Sequence, residues 1–310
     1  MFSVRPRWSN AVKPALVAVL IASVACGTAV DTARRGGPVT TGAFVDDFGD
    51  TLRAGGAAAR VVSLNPVTTE AIFAMRADAR LVGRTKWDGA PAEAARIASV
   101  GDGMQPNIEA VLATRPDLVI LYAAEANRAA AAAFRRAGVA TLALRTDRVE
   151  DFARMMRALG AALGDTIAAR TIIDSVTRTI DAVRALPRPA KAVSVFWHAW
   201  DAPVITIGGG SFQHELIVAA GAVNVFGDLR APSPQVTMEA VAQRNPDYVL
   251  AGPVSARSLR TDARWQAVAA VRAGRILVVD TALIGRPGVR MGEAARSLRA
   301  LLDSAAGVAR

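Results

Sequence analysis

Two glutamates stand at equivalent places in a short sequence that occurs twice in the chain. Glu109 begins Glu-Ala-Val-Leu-Ala-Thr-Arg-Pro-Asp-Leu-Val-Ile-Leu, and Glu239 begins Glu-Ala-Val-Ala-Gln-Arg-Asn-Pro-Asp-Tyr-Val-Leu-Ala, which lies 239 − 109 = 130 residues further on. Each copy is typical of a short helix, a Pro-Asp pair and an apolar strand. The repeat predicts two lobes of similar build, and the matched carboxylates could form ion pairs with arginines of one partner.

A purely structural role is the alternative for both glutamates. Asn107 and Thr237 are suitable N-cap residues, which would place each glutamate in the first turn of a helix. The helix dipole favours a carboxylate there by about 0.3–1 kcal/mol. The matched positions in the two copies favour the binding interpretation.

Aromatic residues make up only 5% of the chain, and four of them follow predicted strands: Trp87, Tyr122, Trp197 and Trp200. Ligands of α/β proteins bind at the carboxyl ends of the strands. Flat rings at that edge can stack on a planar ligand. The alternative for each ring is that it covers the protein core.

The histidines and acidic residues match no catalytic motif. His198 and His214 are 16 residues apart with no cysteine nearby, which is a weak metal pair. His198 lies beside two tryptophans and is a candidate ligand for a bound metal complex, with an ordinary hydrogen-bonded histidine as the alternative. An exported enzyme would have to depend on His198, Asp88 and Asp201, which form no known catalytic pattern.

A glycine-rich segment, Gly208-Gly209-Gly210-Ser211, precedes a predicted helix. Backbone N–H groups of such a segment can bind an anion, although the lysine of a P-loop is missing. The alternative is a tight turn in which Ser211 caps the helix.

The composition supports a folded protein that is exported. The chain has 310 residues, 52% of them hydrophobic, which is enough for one or two domains with full cores. Its net charge of +10 comes mainly from scattered arginines, so nucleic-acid binding is not indicated. Arg5, Arg7 and Lys13 precede an apolar segment at 15–25 that is too short for a spanning helix and is typical of a signal peptide.

The single cysteine, Cys26, directly follows this apolar segment and cannot form an internal disulfide. It resembles the lipid-modified cysteine of bacterial lipoproteins, except that Ser23 stands where a larger aliphatic residue is usual. We therefore expect a membrane anchor at Cys26. Cleavage near Ala25 or Ala29 without lipidation is the alternative.

Alternating strands and helices predict an α/β fold with parallel sheets in two lobes. Predicted strands include 60–64, 118–122, 192–197 and 205–207. The expected organisation is a signal peptide at 1–25, a flexible tether at 26–43, an N-terminal lobe at 44–163, a long connecting helix at 164–187 and a C-terminal lobe at 188–310. The apolar face of the connecting helix is expected at Ile167, Ile172, Val176, Ile180 and Val183.

Four segments resemble the periplasmic receptors of ABC importers that bind cobalamin, ferric siderophores or haem. The first two are 60–70 (Arg-Val-Val-Ser-Leu-Asn-Pro-Val-Thr-Thr-Glu) and 81–88 (Leu-Val-Gly-Arg-Thr-Lys-Trp-Asp). The others are 106–109 with Pro116-Asp117, and 233–239 with Pro246-Asp247. The resemblance covers about 44–305.

The resemblance implies a class III periplasmic binding protein, with two Rossmann-like lobes, a rigid connecting helix and the ligand in the cleft between the lobes. It implies that Glu109 and Glu239 contact arginines of the transmembrane permease, and that Trp87, Tyr122 and Arg286 face a corrin ring. The full set of expected ligand-binding residues is Asn65, Trp87, Tyr122, Trp197, Trp200 and Arg286.

Cobalamin or a related corrinoid is the expected ligand, and a ferric siderophore or haem is the alternative, with Tyr122 or His198 as the axial ligand of a haem. The match departs from the cobalamin receptors at Gly103 and Ser233, where they can carry tryptophan, and at Ala282, where they can carry aspartate. We expect a monomeric binding protein in the periplasm or at the cell surface, with no enzyme activity, no permanently bound cofactor and no metal site of its own.

Overall fold

The structure, a computed structural model, describes residues 43–53, 56–188 and 192–307. The predicted signal peptide, the lipidation expected at Cys26 and the predicted tether up to residue 42 lie outside the described residues. Within the described part of the chain, no helix combines the length and the apolar character that crossing a bilayer requires.

Each lobe contains a parallel sheet of four strands. The first has the order β4-β3-β5-β6 and the second the order β10-β9-β7-β8. Numbered along the chain within its own lobe, each sheet therefore has the order second, first, third, fourth, which confirms the two similar α/β lobes. Their strands are β3 (Val61–Ser63), β4 (Leu81–Arg84), β5 (Leu118–Tyr122), β6 (Ala140–Leu144), β7 (Ser194–His198), β8 (Val223–Asn224), β9 (Tyr248–Ala251) and β10 (Ile276–Val278).

An antiparallel hairpin of β1 (Ala43–Val45) and β2 (Thr51–Arg53) precedes the first sheet. Helices follow the strands in both lobes. They are α1 (Pro66–Ala74), α2 (Ile108–Ala113), α3 (Arg128–Arg136), α4 (Val149–Leu163), α5 (Thr166–Arg184), α6 (Phe212–Ala219), α7 (Met238–Arg244), α8 (Pro253–Thr261), α9 (Ala269–Arg272), α10 (Thr281–Ile284) and α11 (Met291–Ala305). Short 3₁₀ turns lie at Asp78–Arg80, Ala92–Arg96, Glu125–Asn127 and Ala263–Ala267.

The connecting helix α5 has 19 residues and is therefore about 28 Å long. Asp165 caps it by accepting a hydrogen bond from the Ala168 N–H at 2.8 Å. Gly164 ends the preceding helix in the left-handed conformation, at a φ of 70°, which a glycine adopts without strain. Val176, Ile180 and Val183 are buried as expected, but Ile167 is exposed because it lies in the first turn, beyond the packed face.

One predicted strand is not formed. Residues 205–207 contain only isolated bridges, in which Ile205 pairs with Trp200 and Gln235. Thr206 donates its N–H to the Pro234 carbonyl at 3.1 Å and its hydroxyl to the Trp197 carbonyl at 2.7 Å. The apolar residues of this segment are accounted for by its burial between loops. Its backbone hydrogen bonds go to those loops and not to a sheet.

The two lobes share one continuous hydrophobic core. The inner face of the first sheet contributes Leu118 and Ile120 to it, and the second sheet contributes Val195 and Leu250. Side chains of α4, α5, α6 and α11 complete this shared core. The outer face of each sheet has a separate core. A wide hinge motion would expose part of the shared core at about 25 cal/mol per Å², so we expect the lobes to move only modestly.

The Pro-Asp pairs of the repeat tie neighbouring strands together. Asp117 accepts hydrogen bonds from the Ala59 and Arg60 N–H groups at 2.8 and 3.1 Å, next to β3. Asp247 accepts from the N–H and hydroxyl groups of Ser194 at 2.9 and 2.8 Å, at the start of β7. Each aspartate thus aligns the third strand of its lobe with the first, which is a role that the sequence pattern did not reveal.

Candidate functional site

Glu109 and Glu239 occupy equivalent exposed positions in the first turns of α2 and α7. Asn107 caps α2 through the Ala110 N–H at 3.0 Å, and Thr237 caps α7 through the Ala240 N–H at 3.2 Å. Hydrogen bonds from its own N–H and from the Thr237 hydroxyl lower the pKa of Glu239, so it is ionised at neutral pH. None of the ion pairs found among the described residues uses either glutamate.

Trp87 lies in the loop after β4, with 58% of its side chain exposed. Asp88 fixes this loop. Its buried carboxylate accepts hydrogen bonds from Thr85 and from the Thr69 hydroxyl, each at 3.0 Å. The Trp87 N–H donates to the Thr85 hydroxyl at 3.1 Å. The exposed indole is therefore carried by a well-fixed backbone.

Arg286 and Arg290 reach from the C-terminal lobe to the N-terminal lobe. The Arg286 guanidinium donates to the Trp87 carbonyl at 2.9 Å, so the structure brings these two predicted site residues into contact. Arg290 pairs with Glu70 of α1 at 3.3 Å. Burial raises the pKa of Glu70, and the positive charges of Arg290 and Arg286 oppose that rise. Glu70 was not among the predicted site residues, although a glutamate among apolar residues of a helix is a signal for a buried ion pair.

Tyr122 lies at the end of β5, half-buried, and donates its hydroxyl to the Asp147 carboxylate at 2.6 Å. Burial raises the pKa of Tyr122, and the bond to the negative Asp147 raises it further. The Asp147 carbonyl in turn accepts the Phe212 N–H of the other lobe at 2.7 Å. Tyr122 thus lies next to a second contact between the lobes, as a protonated hydrogen-bond donor.

Asn65 lies two residues after β3, directly before α1, and is only 6% exposed. Its side-chain oxygen caps α1 by accepting the Val67 N–H at 3.0 Å. Its side-chain amide nitrogen is buried and has no hydrogen-bond partner among the described residues.

Trp197, in β7, and Trp200, in the loop that follows it, lie close in sequence but in different surroundings. Trp197 points to the same face as Val195, is only 6% exposed and belongs to the shared core. Trp197 therefore packs in the core shared by the two lobes, which is the alternative given above for each ring. Trp200, in the following loop, is 62% exposed and donates its indole N–H to the Ala202 carbonyl at 3.1 Å.

His198 points to the opposite face from Trp197 and is 4% exposed. Its ring packs edge-on against Trp265, with centroids 5.1 Å apart, and its Nε2 lies 3.5 Å from Asp201. That distance is at the limit for a hydrogen bond, and neither ring nitrogen has a partner within bonding geometry among the described residues. A histidine buried in this way is not accessible as an axial ligand. His214 is partly buried, 3.4 Å from the Asn224 amide.

Burial lowers the pKa of His198, and Asp201 opposes this shift. The unfolded chain, with a histidine pKa near ~6.5, therefore takes up a proton at a pH where the folded protein does not. Stability should fall as the pH drops below about 6.5. We expect His198→Asn to reduce this acid-dependent loss, measured as urea midpoints between pH 7.5 and 5. The lost ring contact with Trp265 shifts all midpoints equally, so an unchanged pH slope would contradict the prediction.

The glycine segment before α6 serves packing rather than anion binding. Added Cβ atoms would lie 2.2 Å from the Ala231 carbonyl at Gly208, 2.3 Å from the Gly227 carbonyl at Gly209 and 2.1 Å from the Arg230 carbonyl at Gly210. Several N–H groups of the segment also donate hydrogen bonds to backbone carbonyls of the protein itself. Ser211 caps α6 by accepting the His214 N–H at 3.2 Å. The tight-turn alternative is therefore the correct one.

Gly103 is likewise required by packing. A Cβ at this position would lie 2.2 Å from the Leu64 carbonyl, so the tryptophan that cobalamin receptors can carry here does not fit this loop. Among the described residues, no group of three or more histidine, cysteine, aspartate or glutamate side chains could hold a metal ion.

The family model of the periplasmic binding proteins matches residues 61–283, which include both sheets. The chain belongs to the periplasmic binding protein family. This confirms the family inferred from the four motif segments, and membership implies a periplasmic location. The members are solute-binding proteins, which agrees with the two-lobed architecture.

Relatives and solved structures that resemble this chain are named as vitamin B12-binding or heme-binding proteins. The chain is 28% identical to the vitamin B12-binding protein of Salmonella typhi over 209 residues, which cover 67% of this chain and 78% of that protein. It is similar in fold to the periplasmic vitamin B12 binding protein BtuF of Vibrio cholerae (TM-score 0.70, 24% identity, 80% and 98% of the two chains covered). It is also similar to the periplasmic heme-binding protein RhuT from Roseiflexus sp. RS-1 (TM-score 0.71, 25% identity, 81% and 100% covered).

Proposed function

We propose that this protein captures cobalamin or a related corrinoid in the periplasm and delivers it to the permease of an ABC importer. The observation that carries the proposal is the exposed side chain of Trp87, whose backbone carbonyl accepts a hydrogen bond from Arg286 of the other lobe. The vitamin B12-binding relative supports the choice of ligand. In this proposal the ligand site consists of Trp87, Tyr122, Trp200 and Arg286, with Asn65 as a further residue of the expected set.

Haem is the less suitable alternative for this site. A tyrosine that ligates ferric haem binds as the phenolate, which needs a lowered pKa. The pKa of Tyr122 is raised instead, because the hydroxyl is partly buried and bonded to the Asp147 carboxylate. His198 is buried beneath Trp265. A ferric siderophore, whose iron is already fully ligated, needs no such protein ligand and is the stronger second candidate.

The proposed role is binding and release without chemical turnover. The three titratable residues that an enzyme would need are engaged in structural contacts. Asp88 fixes the Trp87 loop, Asp201 bonds Trp265 and Arg264 at 2.9 and 2.7 Å, and His198 is buried. Recovery of chemically intact cobalamin after prolonged incubation with the protein tests this role, and a modified corrinoid would contradict it.

We further propose that the protein acts as a monomer and is anchored to the membrane through a lipid on Cys26. Sedimentation of the mature protein tests the first point. For the second, the Cys26→Ser protein should leave the membrane fraction of cells, and an unchanged membrane-bound fraction would exclude the anchor.

Titration of the purified full chain with cyanocobalamin, haemin and a ferric hydroxamate tests the ligand. We expect quenching of tryptophan fluorescence at sub-micromolar cyanocobalamin, and much weaker binding of haemin. Trp87→Ala should weaken cyanocobalamin binding about 5- to 10-fold, because a stacked aromatic contact is worth roughly 1–1.5 kcal/mol. Trp87→Phe keeps a flat ring and should lose much less.

Each outcome of the titration decides between the candidates. Binding of the ferric hydroxamate alone would identify a ferric siderophore as the ligand, and the proposed receptor role would stand. A Soret shift with haemin at low concentration, abolished by Tyr122→Phe, would favour haem. Binding of none of the three would leave the receptor role without a ligand from the proposed class.

A further inference from the structure

Trp87 is held in one orientation although most of its side chain is exposed. Its indole N–H donates to an Asp102 carboxylate oxygen at 3.1 Å. The Lys86 ammonium lies over the ring, 4.7 Å from the centroid. An exposed side chain usually samples several rotamers, so these contacts impose an order that solvent exposure alone would not produce.

Asp102 is the centre of this arrangement. The same oxygen that accepts the indole N–H is 3.2 Å from the Lys86 ammonium, and the other oxygen accepts the Met104 N–H at 2.8 Å. These bonds, first that of the Met104 N–H, lower the pKa of Asp102 to about 2. Asp102 is therefore ionised at neutral pH.

The loop that carries Asp102 is itself fixed. Gly101 bridges to Pro106, and its carbonyl accepts the Lys86 N–H at 2.9 Å. The buried Asn127 amide donates to the Gly103 carbonyl at 3.1 Å. The carboxylate is thus a stationary partner for the indole and for the ammonium group.

We propose that Asp102 is a positioning residue that orients Trp87 before the ligand arrives, with Lys86 on one face of the ring and the other face open. The inference rests on the proposed function, because it assigns Trp87 a stacking role. A ring that is already ordered loses less conformational entropy when a planar ligand stacks on it, so pre-orientation increases affinity. Asp102 does not touch the ligand and acts only through Trp87.

The test uses the full chain labelled with 5-fluorotryptophan and observed by ¹⁹F NMR without ligand. The chain has five tryptophans, and Trp87→Phe identifies the Trp87 signal. In Asp102→Ala, this signal should narrow and move towards the position of free fluorotryptophan. In Asp102→Asn it should move less, because the amide oxygen can still accept the indole N–H. Asp78→Ala is the matched control. It removes a different carboxylate of the same lobe, one that is paired with an arginine, and should leave the Trp87 signal unchanged.

Cyanocobalamin affinity supplies the second readout. Asp102→Ala should weaken binding roughly 2- to 3-fold, within the range for the ordering of one side chain, and should have no further effect in a Trp87→Phe background. An unchanged Trp87 signal in Asp102→Ala, or an equal loss of affinity in the Trp87→Phe background, would overturn the proposal. If the wild-type protein binds no cyanocobalamin, the proposed function fails, and the NMR signal by itself still decides whether Asp102 positions Trp87.

Discussion

Cells in which Glu109 and Glu239 are both replaced by alanine are expected to lose cobalamin uptake, while the purified double variant keeps its ligand affinity. Both carboxylates are exposed, each in the first turn of a short capped helix, and they occupy the same place in two lobes of the same strand order. Neither takes part in an ion pair found among the described residues, so both are available to a partner.

The size of the expected effect follows from interfacial charge pairs. Removing one partner of such a pair costs about 2 kcal/mol or more. Two pairs lost together would weaken docking by roughly 1000-fold, which reduces uptake to background. Each single variant should retain part of the uptake. Radiolabelled cobalamin uptake and titration of the purified proteins measure the two properties separately.

Glu93 and Glu150 provide the matched control, since they are also exposed glutamates in the first turn of a helix. The double variant Glu93→Ala with Glu150→Ala removes the same charge from the first turn of a 3₁₀ segment and from the first turn of α4. It should transport normally. Normal uptake in the Glu109 and Glu239 double variant, or an equal loss in the control, would show that these two glutamates are not the docking residues.

Trp197→Ala is expected to reduce the free energy of unfolding by about 3–5 kcal/mol, the usual cost of removing a buried aromatic side chain. Trp197 is 6% exposed and lies in the shared core that joins the two sheets through the helices. Urea denaturation followed by circular dichroism measures this loss. In this variant, the contacts between the two lobes should be weakened more than the contacts within either lobe.

Trp200→Ala is the control for this variant, because Trp200 is 62% exposed and three residues away in the sequence. Its stability should change by about 0.5 kcal/mol or less. If Trp197→Ala unfolds at the same urea concentration as the wild type but loses ligand affinity, the prediction is wrong and Trp197 is a ligand-binding residue.

Local sequence patterns were sufficient for the lobes and for most of their secondary structure. The repeat starting at Glu109 and Glu239 predicted two equivalent units, and the sheets have the same strand order. Capping by Asn107, Thr237 and Ser211 follows the sequence directly, because an N-cap bonds a backbone N–H two or three residues away. The predicted strand at 205–207 was wrong, because hydrophobicity reports burial and does not show which backbone groups are hydrogen-bonded.

The site residues were predicted less completely, since their roles depend on contacts between distant parts of the chain. The sequence pointed to Trp87 and Arg286 separately, but only the fold brings them within 2.9 Å. Glu70 pairs with Arg290, 220 residues further along the chain. Asp102 orients Trp87 from a loop 15 residues away, and no spacing rule connects two loops of this kind.

The sequence by itself determined the fold class, the duplication of the lobes, the long helix between them and the two glutamates at matched positions. All of these follow from periodicity, capping and internal repetition within short stretches. Only the tertiary structure decided that Trp197 lies in the core while Trp87 and Trp200 are open to solvent. The physical reason is that a strand shows which residues share a face, whereas the partner of each face is set by how sheets and helices pack.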